Sequence, residues 1–130
     1  MAKQFVVQLK NEPGAMATLA EALAERGVDL RAIGGGSMGD SGHVIMTTAD
    51  DETTAAVLVE RGYTFIEGEA ILADVDDSPG GMARLARALA DAGVNIYGHL
   101  FLGRWGDSAT FTFVVDDPEK ARPILERKDT

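Results

Sequence analysis

The chain has 130 residues, of which 45% are hydrophobic and 25% charged, the balance of an ordinary globular protein with one modest core. Its net charge of −9 is shared by both halves, with 5 basic and 9 acidic residues in 1–66 and 7 and 12 in the remainder, so nucleic acid would meet repulsion over most of the surface. With no cysteine, disulfides, thiolate metal sites and cysteine nucleophiles are excluded.

Phe5 to Leu9 is short, apolar and β-branched, the pattern of a first strand. Met1-Ala2-Lys3-Gln4 leads straight into it rather than into a secretory signal, and no apolar run approaches the roughly 18 residues of a membrane span. A cytoplasmic protein with no membrane contact is expected. After Asn11-Glu12-Pro13-Gly14, the residues Met16, Leu19, Ala20 and Leu23 fall at helical spacing and predict one buried face, with Met16 in the core. Gly27 closes that helix.

A second strand is predicted over Val28–Ile33, a turn over Met38–Gly42 and a third strand over His43–Thr48. Asp50-Asp51-Glu52 opens a second helix over Thr53–Arg61 by placing carboxylates at its N-terminus. Gly62 ends it, and Tyr63–Ile66 supplies a fourth strand. Between the second strand and the turn lies Gly34-Gly35-Gly36, which marks either ligand space or an irregular edge.

The second half repeats this plan. At an offset of 66, Pro13–Val28 matches Pro79–Val94 at eleven of sixteen positions, and the same offset places Asp50-Asp51 on Asp116-Asp117 and Glu60-Arg61 on Glu126-Arg127. The predicted elements are strand Ile71–Val75, helix Met82–Ala92 with Met82 in the core, strands Val94–Leu102 and Ala109–Val115, and a helix from Pro118 to about Arg127, opened by Asp117. Only three residues follow. The fold class expected is therefore α+β: two tandem ferredoxin-like βαββαβ units, residues 1–68 and 69–130, the second lacking its last strand and exposing an edge.

A Pro-Gly pair between a strand and a helix shapes the turn and leaves the helix's first N–H groups bare, where an anion can approach. The pair occurs twice, in Asn11-x-Pro13-Gly14 and Asp77-x-Pro79-Gly80, each followed by a similar helix and by Gly27-Val28-Asp29-Leu30 or Gly93-Val94-Asn95-Ile96. In this order the chain resembles a tandem ACT-domain protein over nearly its whole length. The resemblance implies a stand-alone, non-enzymatic regulatory sensor that uses no cofactor and binds a small amino acid or related metabolite. Asn11 and Asp77 would hold the ligand's amino or side-chain group, and Gly14 and Gly80, behind Pro13 and Pro79, would offer N–H groups to its carboxylate. Ala15 and Gly81 sit one step further in, and the wall across the pairing interface would be Leu30–Ala32 and Ile96–Gly98, with Asn95 as a further polar candidate. A homo-oligomer, as a dimer, and a metabolic enzyme as partner are implied as well. Because the loops differ by Asn against Asp, the resemblance leaves open whether one repeat binds or both.

Other residues carry less. His43 and His99 lack the ligand set of a metal site. Asp76-Asp77 and Asp116-Asp117 are read as helix caps rather than Mg²⁺ ligands. Ser37, Ser41 and Ser108 have no histidine partner for nucleophilic catalysis. Phe111 and Phe113 alternate as in RNA-binding sheets, but repeat one has Ile45 and Thr47 at those positions, and the surface is acidic. Trp105, in the turn Gly103–Asp107, either covers the neighbouring sheet or serves an interface. The alternative to a metabolite sensor is an interaction module that docks on an enzyme through its open edge or Trp105 face.

Overall fold

The computed structural model describes residues 2–126, which divide into two units, Ala2–Glu67 and a second from Gly68 onward. In the first, β1 (Lys3–Lys10), α1 (Ala15–Glu25), β2 (Leu30–Met38), β3 (Ser41–Thr48), α2 (Asp51–Glu60) and β4 (Phe65–Glu69) follow in the order βαββαβ. The strands form one sheet in the order β2-β3-β1-β4. The alternation of β1 turns Phe5 and Val7 toward the helices, where they meet Leu19 and Leu23 of α1, Val57 and Leu58 of α2, and Met46 of β3. Each such side chain, removed from water, contributes about 1.5–3 kcal/mol. That burial is what holds two short helices, neither stable alone, onto the sheet.

The second unit contains β5 (Ile71–Asp76), α3 (Gly81–Asp91), β6 (Ile96–Trp105), β7 (Ser108–Val115) and α4 (Pro118–Leu125). Its sheet, among the described residues, has three strands in the order β5-β7-β6. Ile71, Leu89, Phe113 and Leu125 form its core. Glu69, at the end of β4 and already within the second unit, is bonded to Arg122 of α4, and its hydrogen bond and charge both hold the guanidinium in its ionised form. The expected extension of α4 to Arg127, like the Arg61–Arg127 match, lies outside the described residues.

The pairing registers correct the repeat alignment. Phe5 pairs with Met46 and Ile71 with Phe113, so β7 is displaced by 67 residues from β3 while β5 is displaced by 66 from β1. The extra residue is Leu102, at the bulge between Phe101 and Gly103. Beyond it the offset is 67 throughout: Gly39-Asp40-Ser41 matches Gly106-Asp107-Ser108, Thr54 and Leu58 match the equally buried Ala121 and Leu125, and Asp50 matches Asp117 rather than Asp116. Phe111 and Phe113 accordingly correspond to Val44 and Met46.

Other expectations also change. β2 runs on through Gly34–Gly36 to Met38. A Cβ on Gly35 would lie 2.2 Å from the His43 carbonyl oxygen, so glycine is required there for β2 and β3 to approach. Met16 is 53% exposed, because it overhangs this glycine stretch, which has no side chain to bury it, and Met82 is 37% exposed at the matching first turn. Neither is a core residue. Trp105 ends β6 rather than lying within the turn, and its indole folds back over Gly103 of its own strand, covering that backbone.

Candidate functional site

The two Pro-Gly pairs make the same turn. Gly14 has φ 87° and ψ −8°, Gly80 φ 90° and ψ −7°, the conformation of the third residue of a type II turn, in which proline is favoured one place earlier and glycine tolerates the positive φ. The Ala15 N–H donates to the Glu12 carbonyl at 3.3 Å and the Gly81 N–H to the Ser78 carbonyl at 3.1 Å, closing the turns. Those two N–H groups are therefore already occupied. Neither α1 nor α3 has a side-chain cap, so the first turn of each helix keeps free donors.

Each loop is tied to the hairpin turn beside it: the Asn11 N–H donates to the Asp40 carbonyl at 3.2 Å and the Asp77 N–H to the Asp107 carbonyl at 2.8 Å. From there the units diverge. In the first, the Asn11 amide Nδ2 donates to the Gly39 carbonyl at 2.9 Å, and a Cβ on Gly14 would meet nothing within 4 Å. Two hollows flank the loop. One, of about 290 Å³, lies between Asn11, Ala15, Met16 and the β2 stretch Ile33–Ser37, with Val44 behind. The other, of about 630 Å³, lies between Pro13, Gly14, Thr18 and the segment Arg61–Thr64. Lys10 borders both. Arg61 is engaged with Glu25 at 2.9 Å.

In the second unit the same loop is closed by its own side chains. Arg104 Nε lies 3.0 Å from Asp77 Oδ2, Arg84 Nη2 lies 3.3 Å from Asp76 Oδ2, and the Ser78 hydroxyl donates to the same Asp76 oxygen. Asp76 and Asp77 thus hold neighbouring cations instead of capping α3, because the type II turn carries them away from its N-terminus. Arg84 folds over Gly80, its Nη1 3.0 Å from where a Cβ would be, and a Cβ on Gly81 would strike the Asp76 carbonyl at 2.0 Å. Asp117 does cap α4, accepting from the Lys120 N–H at 3.2 Å, and Asp116 accepts from the Asn95 N–H at 2.9 Å.

The candidate residues consequently fall into groups. Asn11, Pro13, Gly14 and Ala15 line the first unit's hollows, while Pro79, Gly80, Gly81 and Asp77 form the closed loop of the second. Leu30 and Ile96 begin β2 and β6 and pack, half-buried, on their own cores; neither they nor Asn95 borders the two hollows. Lys10, Met16, Ile33 and His43 also border the smaller hollow, beyond the residues expected from the sequence. The repeat of Gly-Asp-Ser at offset 67 was the signal that would have located the β2–β3 hairpin beside the loop.

No helix among the described residues is long and apolar enough to cross a membrane. Residues 3–61 match the model of the ACT domain. Among curated proteins, none matches the sequence. Among solved structures, the chain is similar to a protein from Bacteroides thetaiotaomicron, at 20% identity over 96% of this chain and 86% of that one, with a TM-score of 0.72. It is similar also to the regulatory subunit of aspartate kinase from Thermus thermophilus (22% identity, 96% and 91% covered, TM-score 0.60) and from Thermus flavus (20%, 96% and 90%, 0.63). At these identities the likeness is one of fold. The ACT-domain model is thus matched over the first unit, and because the second repeats its strand and helix order, the fold is that of two tandem ferredoxin-like ACT units, the second shortened among the described residues.

Proposed function

We propose that this protein is a non-catalytic regulatory module that binds a small amino acid or related metabolite beside the Asn11–Gly14 loop and passes occupancy on through a change of association. The observation that carries this reading is the open loop at the N-terminus of α1, where the bare Gly14 lines the larger hollow and Asn11 the smaller, while the counterpart at Gly80 is covered by Arg84. The smaller hollow is near the lower end of the ~300–1,000 Å³ range of ligand pockets, which suits one small metabolite. A ligand carboxylate would face Lys10 and the free N–H groups of the first turn; an ammonium group would face the Asn11 side-chain oxygen and Glu12. The Thermus proteins of the same fold are regulatory subunits of an enzyme, which supports a metabolic enzyme as partner here.

Such a ligand regulates only through the difference in its affinity for two arrangements of the protein. A homodimer is the simplest assembly able to supply them, and sedimentation with and without ligand reads it directly. Binding itself is tested by thermal unfolding of the whole chain against each of the twenty amino acids at millimolar concentration. A ligand present at a hundredfold excess over its Kd stabilises the folded state by about 2.7 kcal/mol. A flat panel on folded protein would overturn the sensor reading in favour of a docking module, whose candidate surface is the β6 edge with its exposed Phe101, Leu102 and Trp105.

A further inference from the structure

Resting on that reading of the smaller hollow, we infer that its ligand carries an apolar side chain, seated over Gly35, and that the chain takes one ligand because the second unit fills the matching place itself. The registers establish the match: Gly35 pairs with Val44 on β3, and Phe101 pairs with Phe111 on β7, the residue that corresponds to Val44. The Phe101 ring stands 5.4 Å from that of Phe111. Arg104 lies over the Phe101 ring, 4.9 Å from its centroid, and reaches on to Asp77 at 3.0 Å. A ring and a guanidinium therefore bridge β6 to the loop before α3.

In the first unit the three corresponding positions are Gly35, Ser37 and Asn11. None of them makes that bridge. Glycine is held at 35 by the approach of the His43 carbonyl; at the matching place β6 carries a phenylalanine, next to the bulge at Leu102. The space so left is the 290 Å³ hollow, whose apolar lining side chains are Leu9, Ala15, Met16, Ile33 and Val44. Met16 and Ile33 are exposed, so an apolar group placed between them removes water from both itself and them. Asn11, unlike Asp77, has no charge with which to hold a cation arriving as Arg104 does, and its polar atoms lie with Lys10 and Glu12 at the loop, where the ligand's ionised ends belong.

The test is thermal unfolding and titration calorimetry of the full chain with L-leucine, L-isoleucine, L-methionine and L-phenylalanine, set against L-lysine, L-aspartate and L-serine. At least one of the first four should raise Tm and bind at one site per chain. Met16→Asp, at an exposed place where a helix N-terminus favours an acid, should fold with a similar unliganded Tm and weaken that binding by about tenfold or more. A shift confined to charged or hydroxyl amino acids, or unchanged affinity in Met16→Asp, would overturn this inference while leaving amino-acid sensing intact. Two sites per chain would overturn the filled second unit, and no shift with any of the twenty amino acids would overturn the sensor reading and this inference together.

Discussion

Arg104 and Asp77 form an ion pair of 3.0 Å that fastens β6 to the loop before α3, at a place where the first unit has only Ser37 and Asn11. The Arg104 side chain is 63% exposed, so its strength is modest and screened by salt. A double-mutant cycle with Arg104→Ser and Asp77→Asn should give a coupling of about 0.2–1 kcal/mol by urea unfolding in low salt. In 1 M salt most of it should vanish; a coupling of several kcal/mol would show a desolvated pair and a different loop.

Adjacent glycines in β2 should respond oppositely. Gly35→Ala puts a methyl group 2.2 Å from the His43 carbonyl oxygen and must part β2 from β3, whereas a Cβ on Gly36 meets nothing within 4 Å. Gly36→Ala should be neutral or stabilise by up to ~1 kcal/mol through the unfolded chain. Gly35→Ala should lower Tm clearly and weaken hydrogen-exchange protection along the β2–β3 ladder. Equal effects at both positions would refute this strand pairing.

Asp50 accepts from the Thr53 hydroxyl at 2.6 Å and the Thr53 N–H at 3.0 Å, which hold its carboxyl below the ordinary value, the side-chain bond foremost. A carboxyl depressed in the folded state contributes stability that is full above the unfolded pKa and is lost as pH falls through the folded one. Stability should therefore decline as pH drops below about 4, and Asp50→Asn should flatten that decline. Guanidinium-induced unfolding at successive pH values measures it, and an identical pH dependence in the variant would contradict the cap.

The 67-residue register of the second helices can be checked by three substitutions. Leu58 is fully buried and Val59 is 68% exposed. Leu58→Ala and its counterpart Leu125→Ala should each cost about 2–5 kcal/mol, while Val59→Ser should stay within about 0.5 kcal/mol. The alternative match at offset 66 pairs Leu58 with Ile124, half-buried, and predicts the larger loss there instead.

Local chemistry alone determined much of this protein. The Pro-Gly pairs specified two turns because proline presets one backbone angle and glycine permits the next; the spacing of Leu19 and Leu23 specified a helix, and Asp50 and Asp117 its successors' starts. Two copies of that pattern were enough for the order of elements and the family resemblance. Three things depended on tertiary structure. Leu102 shifted the register, since a bulge is created by pairing with β7 and has no local signature. Met16 and Met82 stayed outside the core, since helical spacing says which residues share a face but not how far the opposite sheet extends beneath them. The two loops, nearly alike in sequence, became one open and one closed: Arg84 covers Gly80 from within α3, but the rest was decided by Gly35, Ser37, Phe101 and Arg104, which lie more than twenty residues along the chain and reach the loops only when the sheets form.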